Sequence, residues 1–272
     1  MTSLGHELAN ISAREMVSAL GAERAPSFVR RGLALPFFAA SRSLGETLAR
    51  LQEEVATVGL PTAATNALDR FGVTTCSSGA DVGQGPCLVL ANHPGAYDAL
   101  SLMRAVGRHD LLILAADREF LRALRGLAPH FALVGEASSE RARALKTAVS
   151  WLRRGGALLH FPAGRIEPDA DFEPRATRWL EAWQPGVSTL VKACERVGGR
   201  VLVAGVRGVH SPRAKRLLLN RLAERRGVTT LSPLVQIVGR LRDVRTRVRL
   251  DQVRTSREDE LRAALVSAIA RA

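Results

Sequence analysis

From residue 87 to residue 250, short apolar runs alternate with amphipathic segments of ten or more residues. The runs at 87–91, 111–115, 131–134, 157–161, 201–206 and 244–250 are rich in Leu, Val and Ala and are bounded by turn residues, which predicts strands. Between them the apolar positions recur at helical spacing. Ala142, Leu145, Val149 and Leu152 fall on one face of a helix over 140–154, and Leu261, Leu265 and Ile269 on one face of a helix over 257–270. Further helices are predicted at 97–106, 119–127, 174–183, 187–197 and 212–226. Strands separated by helices of this length build an α/β fold, a largely parallel or mixed sheet flanked by helices on both faces. Val244, Thr246, Val248 and Leu250 alternate with Arg245, Arg247 and Arg249, so this strand is expected at a sheet edge with one wet face.

The first 75 residues read differently. Leu44, Leu48, Leu51 and Val55 predict a helix over 43–58, Gly59-Leu60-Pro61 breaks it, and a second short helix runs through Ala67 to Phe71. A short helix is also expected at 12–20. Phe28, Phe37 and Phe38 flank Arg30 and Arg31, a pattern that suits either a helix packed on the core or a segment lying in a membrane interface. Residues 1–75 are thus a helical preface, and 76–86, a stretch of Ser, Gly and Asp, is read as the loop that leads into a second unit over 76–272.

Composition adds a charge and a compartment. The chain of 272 residues carries a net charge of +13, and Lys146, Lys192 and Lys215 are its only lysines, so the positive surface is guanidinium. That favours phosphate-bearing partners such as an anionic membrane surface. The basic run Arg213, Lys215, Arg216, Arg221, Arg225 and Arg226 is not interleaved with aromatics, which argues against nucleic acid. Cys76, Cys87 and Cys194 show neither disulfide nor zinc spacing, which fits a reducing cytoplasm. The best N-terminal apolar stretch, 32–40, is interrupted by Pro36 and is too short to span a bilayer, and no leader with a cleavage site is evident. A peripheral location on the inner face of the cell membrane follows as the expectation. His6-Glu7 lacks the second His of a zinc motif, and Gly-x-Ser-x-Gly, phosphate-loop and dinucleotide motifs are absent.

The candidate chemistry lies at two strand ends. Leu88 to Ala91 delivers Asn92-His93 to a Pro94-Gly95 turn, and Asp98 follows five residues after the His. A carboxylate in the first helical turn can fold back on one ring nitrogen, fix the tautomer and leave the other as a general base. The second strand end reads His160-Phe161-Pro162-Ala163-Gly164-Arg165-Ile166-Glu167. His160 is read as a satisfied core residue, His109 and His130 as structural, and Trp179 and Trp183 as core packing.

Asn-His-x-x-x-x-Asp followed by Phe-Pro-x-Gly resembles the glycerolipid acyltransferase family, over about residues 85–210. Asp117-Arg118-Glu119-Phe120-Leu121 resembles that family's Lys-Lys-Glu-Leu segment between the two motifs. The resemblance implies a glycerol-3-phosphate acyltransferase-like fold, with 76–272 as the catalytic domain. It also implies catalysis by His93 and Asp98, with no cofactor and no metal. An acyl group would pass from acyl-CoA or acyl carrier protein to a hydroxyl of a lysophospholipid or glycerol-phosphate acceptor. Substrate contacts are then expected from Asn92, Gly95, Arg118, Phe161, Pro162, Gly164, Arg165 and Glu167. Backbone N–H groups near Pro94-Gly95 and the start of the next helix would stabilise an oxyanion, Gly164 would let backbone approach the acceptor, and Glu167 would either replace a missing acid or cap a helix.

The sequence departs from the family pattern at Ala163, where a Glu is usual, and at Arg165-Ile166, where Thr-Arg is usual. Phe-Pro-Ala-Gly is closer to the hemolysin-like and ornithine-lipid branch. An amino-acid-containing or otherwise non-glycerol lipid acceptor therefore stays open, as does a non-catalytic lipid-binding relative.

Overall fold

The structure is a computed structural model that describes residues 5–11, 27–95, 97–173, 183–216, 236 and 241–272, and over 27–41 the backbone alone. The expected helix at 12–20, all but the last residue of the one expected at 174–183, the continuation of 212–226 past residue 216, and the side chains of Phe28 to Phe38, Trp179, Arg221, Arg225 and Arg226 lie outside the described residues.

A seven-stranded sheet organises the chain. Its strands are β1 (Thr74–Gly79), β2 (Cys87–Ala91), β3 (Leu111–Ala116), β4 (Phe131–Val134), β5 (Ala157–His160), β6 (Arg200–Arg207) and β7 (Arg245–Val253), in the order β1-β7-β6-β2-β5-β3-β4. Every pairing is parallel except β6 with β7. Strand β2 is wholly buried, and its alternation sorts its side chains between two cores. Cys87, Val89 and Ala91 face one and Leu88 and Leu90 the other, so a one-residue slip would exchange them.

Helices cover both faces. On the first lie α1 (5–11), α2 (Ser27–Val58), α3 (Leu60–Phe71) and α4 (Asp98–Val106), which bury Leu8, Leu48, Leu51, Leu60, Leu68, Leu102 and Met103 against the sheet. On the second lie α6 (Ser138–Arg153), α7 (Val187–Arg196) and α9 (Glu258–Arg271), which contribute Ala148, Leu152, Leu190, Val191, Leu261 and Leu265. The short helices α5 (Glu119–Ala123) and α8 (Pro212–Arg216) sit at strand exits. The helical preface and the sheet therefore share one core.

Several expectations are corrected. Residues 76–79, expected as the start of a loop, belong to edge strand β1, hidden in the sequence because Thr-Thr-Cys-Ser-Ser-Gly is almost entirely exposed and carries no apolar face. Strand β7 in consequence lies second from the edge, with β1 outside it. Its alternating pattern records one polar face, on which Arg247 pairs with Asp171 and Arg249 with Asp251, rather than a missing neighbour. Helix α2 begins at Ser27 and passes through Pro36 instead of starting at 43. The helix expected over 119–127 ends at Ala123, and a 3₁₀ segment follows over Arg125–His130.

One close approach sets how tightly the last helix docks. A Cβ added at Gly205 on β6 would lie 2.3 Å from the backbone carbon of Ala268 and 2.3 Å from the nitrogen of Ile269. Both are α9 backbone, so neither can yield as a flexible side-chain end would. Gly205→Ala is therefore expected to push α9 off the sheet and cost about 3 kcal/mol, read as a lower urea midpoint at unchanged m. A midpoint within error of wild type would show that this contact is looser than described.

Candidate active site

Parallel strands β2, β3, β5 and β6 end on one rim of the sheet, the usual location of sites in open α/β folds. The rim is assembled first by Asn92, directly after β2. Its side-chain amide donates to the Val206 carbonyl at 2.8 Å, and its oxygen accepts the Val206 N–H at 2.7 Å. The pair extends the β2–β6 ladder through a side chain and fixes where the chain leaves β2. Asn92 is 2% exposed, with its side chain turned into this bridge.

The next residue is His93, and Asp98, the first residue of α4, folds back on it. Asp98 Oδ2 lies 2.7 Å from His93 Nδ1 and accepts the Gly95 N–H at 2.7 Å, while Oδ1 accepts the Ala99 N–H at 2.6 Å. A carboxylate has no proton to offer, so Nδ1 carries the hydrogen and Nε2 of the neutral ring is left with its lone pair. Gly95 makes the fold-back possible through a φ of +87°, which few side-chain-bearing residues adopt. Of the N–H groups around this turn, those of Gly95 and Ala99 are both spent on Asp98, and Pro94 has none. Asp98 is 1% exposed, whereas the His93 side chain is 30% exposed and reachable from solvent.

The rest of the site comes from the segment after β5. The Phe161 ring packs on the His93 imidazole at a centroid distance of 4.4 Å. The segment returns to the His93 backbone at Glu167, whose Oε2 accepts the His93 N–H at 2.8 Å and whose own N–H donates to the His93 carbonyl at 2.7 Å. Glu167 is 5% exposed, and its Oε1 has no hydrogen-bond partner among the described residues. Burial opposes charge on the His93 ring, but the charge and hydrogen bond of Asp98 and the charge of Glu167 outweigh it and raise the imidazole above its usual value. Burial pushes the Glu167 carboxyl up to about 7, against the lowering effects of the His93 N–H, of His93 and of Arg165.

The remaining expected contacts are distributed more widely. Arg165 is exposed beside an Ile166 that is 55% exposed, and the Arg165 charge reaches Glu167. Arg118 is exposed at the start of α5, past the end of β3 on the same rim. Pro162 and Gly164 serve the loop itself. The Pro162 carbonyl accepts the Gln184 N–H at 2.7 Å, and a Cβ added at Gly164 would lie only 2.7 Å from the Gln184 side chain. His130 Nδ1 donates to the Leu111 carbonyl at 3.0 Å, a structural contact. Trp183 packs in the second core. His160 is half-buried at the end of β5, its ring is pushed down to about 4 by desolvation, and its Nδ1 has no partner among the described residues, so it is not a satisfied residue.

Asp169 is the residue the sequence reading passed over. It is 2% exposed and accepts N–H groups from Gly208, His210 and Asp171, holding the segment that leaves β6 beside the site. Its signal was the acidic pair Asp169 and Asp171 in a strongly basic chain.

Residues 69–197, which hold α4, the two motif segments and β2 to β5, match the family model described as Acyltransferase. No curated protein matches the chain. Among solved structures, the crystal structure of the 1-acyl-sn-glycerophosphate acyltransferase from Thermotoga maritima is similar. It shows 14% identity and a TM-score of 0.46 over 98% of this chain and 92% of that one.

The buried Glu167 makes a stability prediction. Its folded-state value of about 7 lies above the ordinary 4.5, so the native state holds a proton that the unfolded chain has released. Stability from this group is therefore full below pH 4.5 and is lost as pH rises to about 7. The loss amounts to about 3 kcal/mol. The stability of wild type minus that of Glu167→Gln, followed by urea unfolding, should fall across this window. A flat difference would show that the carboxyl is not held proton-rich.

Proposed function

We propose, for a chain that belongs to the acyltransferase family through residues 69–197, that His93 and Asp98 catalyse transfer of a fatty acyl group from a thioester to the hydroxyl of a lipid acceptor. The observation that carries this reading is the 2.7 Å contact between His93 Nδ1 and a buried Asp98 that is itself held by two backbone N–H groups. With Nδ1 occupied, Nε2 takes the proton of the acceptor hydroxyl as its oxygen attacks the thioester carbonyl. Asp98 stabilises the imidazolium that forms. Collapse of the tetrahedral intermediate breaks the carbon–sulfur bond, and the departing thiolate recovers the proton from His93. Acyl-CoA and acyl carrier protein both supply such a donor.

The acceptor we propose is a lysophospholipid or glycerol-phosphate lipid. Exposed Arg165 offers a fork-shaped cation for its phosphate, and neighbouring Ile166 offers an apolar surface for its chain. Ala163 and Ile166, which stand where the family pattern has charged residues, favour as a second reading an acceptor with fewer anionic groups, such as an amino-acid-containing lipid. The net charge of +13 supports docking on an anionic membrane from the cytoplasmic side. No helix among the described residues is long and apolar enough to cross a membrane.

The test of the dyad is kinetic. His93→Ala should abolish transfer in a folded protein, and Asp98→Asn should lose about three to four orders of magnitude in kcat, because the amide no longer imposes the productive tautomer. Near-normal turnover by His93→Ala would remove the assignment.

Arg165 tests the acceptor. Arg165→Ala should lower kcat/KM for a phosphate-bearing acceptor about 10- to 100-fold while the donor KM holds. Arg165→Lys should recover part of the loss. A variant that loses donor affinity and keeps acceptor affinity would place the loop on the other substrate.

A further inference from the structure

Two carboxylates converge on His93, and they hold different parts of it. Asp98 holds the ring, through Nδ1. Glu167 holds the peptide: its side chain takes the His93 N–H at 2.8 Å, and its backbone N–H takes the His93 carbonyl at 2.7 Å. No regular strand pairing exists at this point, since β2 ends at Ala91 and β5 at His160. This two-bond clasp, together with the Phe161 ring on the imidazole, ties the segment after β5 to the segment after β2. The side chain that makes it is buried, and the exposed residues of the same loop, Arg165 and Ile166, are the ones that face solvent.

We propose that Glu167 is a positioning residue for the proposed base: it fixes the His93 peptide, and so the direction in which the imidazole is presented, and acts on the reaction through His93 rather than by touching the acceptor. The proposal rests on the dyad reading for its kinetic consequences but not for its geometry. Ring orientation depends on the backbone as much as on the side-chain torsions, and Asp98 holds the ring and the Gly95 N–H but not the His93 peptide itself. A peptide free to rotate would carry Nε2 away from the acceptor while the Nδ1 contact tried to follow. A displacement of the order of 1 Å is enough to cost about a hundredfold.

The charge on Glu167 has a second effect. The charged groups that act on it are His93, Arg165 and Asp98, and its own negative charge helps raise His93. The acid limb of the rate profile therefore belongs to the coupled His93–Glu167 pair. Removing the charge while keeping an acceptor oxygen lowers the His93 value, so the free base survives to lower pH.

Three measurements separate positioning from acceptor binding. Glu167→Ala should lower kcat about 10- to 100-fold, with the acceptor KM little changed. Glu167→Gln, which still accepts the His93 N–H, should restore most of that turnover and move the acid limb of kcat/KM to lower pH. In wild-type protein, with no substitution, the His93 backbone amide resonance should titrate with the Glu167 carboxyl over a range centred on about pH 7. A raised acceptor KM in both variants with an unmoved acid limb would overturn the proposal, as would a His93 amide that ignores pH over that range. Failure of the dyad reading is a different outcome: His93→Ala would remain active while the wild-type amide still titrates.

Discussion

The site depends on one buried oxygen. Asp98 Oδ2 receives the Gly95 N–H and faces His93 Nδ1, each at 2.7 Å, while the other oxygen of the same carboxylate holds the first turn of α4. An anion at the start of a helix is stabilised by the unpaired N–H groups there, so the carboxylate is well supported at 1% exposure. That burial gives it directional control. A solvated carboxylate would share its lone pairs with water, whereas this one has few partners and must spend them on the turn and the imidazole. The cost is that the Gly95 and Ala99 N–H groups are consumed by the carboxylate.

Everything outside the dyad serves to bring that oxygen and the ring together. The parallel register of β2 between β5 and β6 places three strand exits on one rim. Asn92 lengthens the β2–β6 pairing by one side-chain bridge, Asp169 fixes the exit of β6, and Glu167 closes the β5 segment onto the His93 backbone. These are polar groups buried at the end of a sheet whose interior is almost wholly Leu, Val and Ala. An unmade hydrogen bond there costs more than a made one contributes. The partly unsatisfied Glu167, with one oxygen unpartnered, is thus a local expense that the large two-sided core can carry.

The parts legible in the sequence were those with a strong period or a local geometry. Buried strands such as β2 announce themselves as continuous apolar runs, and the crossovers between them leave helical spacing. His93 and Asp98 were legible because both partners sit within one turn-and-helix segment, where spacing in the chain is close to spacing in space. The edge strand β1 was not legible, because a strand with one neighbour and two wet faces needs no hydrophobic pattern. The alternation in β7 was misread as an edge for the related reason that a wet face and a free edge leave the same trace. Roles set by long-range pairing were also hidden. Nothing local marks Asn92 as a partner of Val206, or Glu167 as a partner of the His93 peptide, since those partners lie 114 and 74 residues away in the chain.

The central claim is that Asp98 forces one tautomer on His93, and ring nitrogen NMR tests it most directly. With 15N-labelled protein above the pH at which the imidazole titrates, the account requires a protonated Nδ1 and a bare Nε2, with that preference lost in Asp98→Ala. A neutral His93 carrying its proton on Nε2, or a tautomer ratio that Asp98→Ala leaves unchanged, would contradict it.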